Sequence, residues 1–175
     1  MKVVRSGVFE TNSSSSHSLS IGKRGSLSPF RMPVNNDGYV EVDFGDFGWG
    51  YEKLESQLEK LSYLLTMVAM TETRFKVDHA DVDIFELFAQ TDGFQKLNAF
   101  VCKYCEGIAL ENISLEIRQS VDEAFHYIDY DGYIDHQSCE NYGSLEDFLN
   151  NYGLSIDEII LNDDISIIID NDNGC

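Results

Sequence analysis

Residues 8–18, VFETNSSSSHS, concentrate more proton-transfer and anion-binding chemistry than any other stretch of the chain. Asn12 is followed by four serines, Ser13, Ser14, Ser15 and Ser16. Their hydroxyls and backbone N–H groups suit a nest that accepts an anion. Arg5 lies just upstream, with Lys2, Lys23 and Arg24 near in sequence, and such side chains neutralise phosphate through charge-assisted hydrogen bonds. His17 titrates near neutrality and can move a proton, while Glu10 can orient it or accept a proton itself. Arg5, Glu10 and His17 are therefore candidate catalytic residues, and Asn12 with the four serines a candidate anion-binding set. The competing reading is a polar turn whose serines cap local backbone around an exposed histidine. The stretch has neither the Gly-Lys-Ser/Thr of a phosphate-binding P-loop nor the Gly-x-Ser-x-Gly of a nucleophile elbow.

A second histidine, His136, follows Tyr130-Asp131-Gly132-Tyr133-Ile134-Asp135. On a regular strand it points to the face opposite Asp135, where a histidine satisfied in the core or at its rim is the competing reading. As a partner of His17 it would complete the acid/base pair that metal-independent RNA cleavage requires, with Arg5 stabilising the charge that develops on phosphorus. Cys102-x-x-Cys105 and His136-x-x-Cys139 have the spacing of a four-ligand zinc site. Against zinc, Cys102 and Cys105 fall in an amphipathic helical pattern, where buried free cysteines are common. No metal and no cofactor is expected. The Asp131-Gly132 and Asp172-Asn173-Gly174 stretches fail the calcium-loop pattern, and His79 reads as a solvated residue of an acidic loop.

The charge is the second informative feature. The 175-residue chain carries 31 acidic and 12 basic residues, a net of −19. Residues 1–36 hold Lys2, Arg5, Lys23, Arg24 and Arg31 against Glu10 alone, and no Lys or Arg follows Arg118. An acidic body thus bears a small basic N-terminal segment. Such a body disfavours direct binding to DNA or RNA, because counterion release needs cations. It suits either a solvated surface or docking on a basic protein. The most apolar stretch, residues 61–70, is too short to span a bilayer, so no membrane role is expected. Four cysteines are too few for a disulfide scaffold of this length, which points to a reducing cytosol.

The elements that must position these residues read as an α+β fold, a mixed, mainly antiparallel sheet with helices packed on it, in a single domain over residues 1–175. Residues 1–21 give two extended segments around the Ser-rich turn, integrated in the sheet, and residues 22–38 give a loop punctuated by Gly and Pro. Residues 39–44 alternate as a strand. Leu54, Leu58, Leu61, Leu65 and Val68 mark the buried face of a helix over 51–71, with Lys60 off that stripe. Helices are predicted near 83–90 and 92–106, a strand within 108–117, and a hairpin over 125–136 turning at Asp131-Gly132. Ser144 and Ser155 cap two short helices, and the apolar run 165–169 predicts a strand buried on both faces. Leu58, Leu61, Leu65, Ile117, Ile167 and Ile169 are predicted core residues.

The block VFETNSSSSHSLSI, together with FGWGYEKLESQLEKLSYLLT (47–66), GYIDHQS (132–138) and ISIIIDNDN (165–173), resembles a group of uncharacterised proteins of bacteriophages and bacterial mobile elements. These stretches span the chain from end to end. The resemblance implies a small phage accessory protein acting in the bacterial cytoplasm, and it supplies no reaction. In that setting, size and acidity are similar to those of inhibitors of host defence, anti-CRISPR proteins among them. Two functional readings follow. One is an inhibitor that binds a basic host protein or ribonucleoprotein, such as a CRISPR effector. The other is an enzyme that cleaves a phosphate ester or RNA at the Arg5–His17 motif, with RNA bound there.

Overall fold

The computed structural model describes residues 2–4, 15–23, 25–48, 50–73, 84–105, 110–111, 115–117, 128–130, 133–134 and 143–171. The fold is α+β. Its main sheet has four antiparallel strands in the order β1 (Lys2–Val4), β2 (Ser15–Ile21), β10 (Ile165–Asn171) and β5 (Glu52–Leu54). The apolar run of β10 has a topological cause. This strand is central, flanked by β2 and β5, and Ile165, Ile167 and Ile169 on one face are all buried. Leu19, Ile167 and Leu54 form one cross-strand row of that face. His17, Ile169 and Glu52 form the next.

Helix α1 (Gln57–Val68) begins at a reciprocal cap. The Ser56 side chain accepts from the Glu59 N–H, and the Glu59 carboxylate accepts from the Ser56 N–H at 2.9 Å. The cap corrects the predicted helix over 51–71. Leu54 sits four residues before Leu58 and so mimics a helical stripe, but Glu52–Leu54 pairs with β10 and the helix starts only after Ser56. Past Val68 the chain continues as one π-helical turn, Ala69–Thr73. Helices α2 (Ile84–Ala89), α3 (Asp92–Tyr104), α4 (Leu145–Tyr152) and α5 (Ile156–Leu161) follow, and α1 touches α3, α4 and α5. Ser144 and Ser155 cap α4 and α5 as predicted, Ser155 in a reciprocal pair with Glu158.

One buried apolar cluster joins these parts: Leu61, Leu64, Leu65 and Val68 of α1, Leu97 and Val101 of α3, Ile159 and Ile160 of α5, and Ile165, Ile167 and Ile169 of β10. Leu58 is only half-buried against it. Lys60, placed off the apolar stripe by its charge, is fully buried. Val40, Val42 and Phe44 are buried while Glu41 and Asp43 are exposed, so the predicted alternation of residues 39–44 holds even though the strand, β3 (Val40–Glu41), is short.

The remaining strands form three two-stranded ladders. The strand β3 pairs with β6 (Leu110–Glu111), β4 (Asp46–Phe47) with β9 (Tyr133–Ile134), and β7 (Leu115–Ile117) with β8 (Ile128–Tyr130). These pairings overturn the predicted hairpin over 125–136, because β8 and β9 take different partners. An isolated two-stranded hairpin is marginal in water, and pairing with β4 and β7 outweighs the local turn signal. The Asp131-Gly132 turn itself lies outside the described residues.

Candidate functional site

The Ser-rich motif enters the described structure at Ser15. Strand β2 starts there, so Ser15, Ser16 and His17 belong to a strand and not to the expected turn. The reason is the register with β10. Asn171 pairs with Ser15, Asp170 with Ser16 and Ile169 with His17, so the ladder of the central strand reaches three residues further than the alternation of Ser18 to Ile21 indicates. Arg5, Glu10, Asn12, Ser13, Ser14 and His136 lie outside the described residues, as do His79, Cys139 and Cys175.

His17 is half-buried at the end of the core-facing row. Its Nδ1 lies 2.8 Å from the hydroxyl of Tyr63 on α1, and the two rings are 5.7 Å apart. Tyr63 is buried and packs edge-on to Phe47 of β4 at 5.2 Å, with Phe148 of α4 at 6.4 Å. An aromatic corner therefore fixes one ring nitrogen of His17, and the corner is built from β2, α1, β4 and α4. Strand β9, which directly precedes residue 136 in the chain, pairs through Ile134 with Phe47 and also touches α1. Across Ile169 from His17 stands Glu52, whose carboxyl is pushed above its ordinary value by burial, with the charges of Asp46 and Glu59 adding to the effect.

Among the described residues no three His, Cys, Asp or Glu side chains converge into a metal-holding group. Cys102 is half-exposed on α3. Cys105, at its C-terminal end, is buried, and burial together with Cys102 raises its thiol.

Two polar sites were not legible in the sequence. The first centres on Glu72 in the π-helical turn. One of its carboxylate oxygens accepts from the Gly93 N–H at 2.8 Å and the other from the Leu145 N–H at 3.2 Å, so one side chain holds the N-termini of α3 and α4 together. Gly93 permits this approach, since a Cβ there would lie 2.5 Å from Glu72 Oε1 and 2.6 Å from Val68 Cγ2. A cleft of about 360 Å³ opens beside it, with Gln90, Asp92, Lys96 and Glu146 on its walls. The second is a buried cluster of Gln57, Lys60 and Asn162. The Lys60 Nζ donates to the Asn162 carbonyl at 3.0 Å. Gln57 and Lys60 lie off the Leu58–Leu61–Leu65 stripe, so the sequence carried no signal that marked them as buried.

The chain matches no family model, no curated protein and no solved structure. No helix among the described residues is long and apolar enough to cross a membrane.

Proposed function

We propose that this chain is an acidic docking protein: a phage-encoded accessory protein that inhibits a host defence system by binding a basic, nucleic-acid-associated protein or ribonucleoprotein, a CRISPR effector being the case that its sequence resemblance suggests. The observation that carries the reading is how the cations are used. Among the described residues, Arg31, Lys53, Lys96 and Lys103 are each committed to an ion pair, with Asp163, Glu55, Glu146 and Asp157, Lys60 is buried, and Lys23 is exposed. The excess of acid over base thus falls on exposed carboxylates such as Asp37, Asp43, Asp46, Asp92, Asp147 and Asp164. A surface of this kind attracts a cationic partner at long range and repels nucleic acid.

Docking through such a surface depends on salt, because exposed charges are screened beyond about 8 Å at physiological ionic strength. Association with a basic ribonucleoprotein effector, followed by surface plasmon resonance, is expected to slow about tenfold or more from low to high salt. Asp43→Asn, Asp147→Asn and Asp164→Asn together should slow association more than they speed dissociation. Association rates that do not respond to salt would sink this reading.

The contact between His17 and Tyr63 supports a second reading, cleavage of a phosphate ester or RNA by His17 with Arg5, Glu10, the Asn12–serine set and His136. Here Tyr63 would hold one ring nitrogen so that the other faces the reacting group. His17→Gln keeps a hydrogen-bonding side chain beside Tyr63 and carries no titratable proton. Any RNA-cleaving activity should then fall on the order of 10² to 10⁴-fold, with the thermal melt unchanged. Full activity in that variant would leave docking as the sole function.

A further inference from the structure

The geometry points to residues 25–31 being a releasable strap whose closing buries the Lys60 ammonium and whose opening returns it to water, so that strap position and Lys60 protonation are coupled. This goes beyond the docking function and does not depend on it.

A lysine ammonium has three donors. In the closed arrangement the Lys60 Nζ meets one acceptor among the described residues, the Asn162 carbonyl, which also accepts from the Ile165 N–H at 3.1 Å. The side chain is nonetheless fully buried. A charged amine held in this way is costly, and the fold keeps it only while its surroundings stay closed.

The strap supplies part of that closure. Gln57, one helical turn before Lys60 on α1, donates to the Pro29 carbonyl at 2.9 Å and accepts from the Arg31 N–H at 2.8 Å. The Ser28 N–H donates to the Leu161 carbonyl at 2.7 Å, the Ser28 hydroxyl donates to Asp163, and the Arg31 guanidinium lies 3.2 Å from the same carboxylate. Just upstream, the Asn162 side-chain amide donates to the Lys23 carbonyl at 2.9 Å. The polar fastenings therefore end on Gln57 and on residues 161–163, whose Asn162 carbonyl holds the Lys60 amine, while the Phe30 ring of the strap packs on Phe100 and Tyr104. The strap cannot lift without parting from all of these.

It is also built to lift. It contains no helix or strand, and Gly25, Ser26, Leu27, Pro29 and Arg31 are exposed. Segments with few buried contacts open locally at a small fraction of the global stability. Phe30, within the strap, stacks on Tyr104 at 6.0 Å and is an apolar contact that parts when the strap lifts, while Met32, just downstream, is buried and marks where the motion ends.

The charges around the amine come from each neighbouring element. Glu55 precedes α1 and is paired with Lys53 of β5, Glu59 is on α1, and Asp163, bound by Arg31 of the strap, is in the turn between α5 and β10. These three carboxylates favour the ammonium, but burial outweighs them and lowers the amine to about 8 from 10.5. At pH 7 the closed strap therefore confines a charge, which favours opening. Above pH 8 the confined amine is neutral and the bias fades. With an amine at about 8 closed and 10.5 open, the opening constant falls about tenfold between pH 7 and pH 9.

Hydrogen exchange of the Ser28 amide in the intact protein tests the coupling. After correction for intrinsic chemistry, its protection should rise about tenfold from pH 7 to pH 9. In Lys60→Met, which fills the same space without a charge, protection should be higher at pH 7 and should not change with pH. Gln57→Ala should lower Ser28 protection while the Leu65 amide of α1 stays protected. Equal pH responses in wild type and Lys60→Met would overturn the proposal. So would Ser28 exchanging only as slowly as the Leu65 amide, which would mean that no local opening exists. If Lys60→Met did not fold, a wild-type Ser28 protection flat between pH 7 and pH 9 would overturn it alone.

Discussion

Lys60→Met is expected to raise stability at neutral pH and to remove a stability gain that the wild type shows on going alkaline. The sign follows from proton binding. The folded amine sits at about 8 and that of the unfolded chain at 10.5, so between these values the unfolded state holds a proton that the folded state has released. Stability must then rise with pH across that window, by about 3 kcal/mol in total. Below pH 8 the wild type carries the whole cost of burying the ammonium. Methionine carries none of it, fills a similar volume, and leaves the Asn162 carbonyl with its Ile165 N–H partner, so no buried acceptor is orphaned. Replacing buried charge by a well-packed apolar side chain commonly gains about 1–4 kcal/mol. Urea unfolding of both proteins at intervals from pH 7 to pH 10.5 gives the comparison, and the difference between them isolates Lys60 from the tyrosines and other lysines. Parallel stability profiles would show that Lys60 is not buried as a charge.

Leu65→Ala is expected to cost about 2–5 kcal/mol, the lost transfer energy plus that of the cavity left behind. Leu65 is 1% exposed on α1, within the buried cluster that joins the helix to α3, α5 and the central strand. Leu58→Ala, on the same helix but only half-buried, should cost clearly less. The unfolding midpoint should shift with an unchanged denaturant slope in both variants. A cost for Leu65→Ala near zero, or one no larger than for Leu58→Ala, would mean that the buried face of α1 is wrongly oriented.

These two residues mark where sequence reasoning succeeds and where it stops. Leu61, Leu65 and Val68 announce the buried face of α1 by their 3–4 spacing, and Ser144, Ser155 and the Ile-rich run 165–169 announce two caps and a central strand. Each of these signals is local, because helix periodicity, capping and an apolar run are written within about ten residues of chain, although Ile168, on the other face of that run, is only half-buried. Lys60 is the opposite case. Its charge argues for a solvated position, but the folded chain buries it and brings the Asn162 carbonyl, about a hundred residues away in the chain, onto its amine. Leu54 shows the same conflict in secondary structure: its spacing from Leu58 imitates a helix, but pairing with Ile167 of β10 makes it a strand residue.

His17 divides in the same way. Its chemical type, its neighbouring serines and the acidic composition of the body were determined by the amino-acid sequence alone, and with them the α+β class and the two functional readings. That it lies on a strand beside Ile169, with its ring against Tyr63 and across one residue from Glu52, was decided by tertiary structure. So were the joining of α3 and α4 through Glu72 and the separate pairing of β8 and β9. The physical reason is one of range. Side-chain chemistry, net charge and short-period patterns are properties of neighbouring residues, whereas strand register, the burial of a polar side chain and the partner of a titratable group depend on which distant segments close around it, and those contacts leave no periodic mark in the chain.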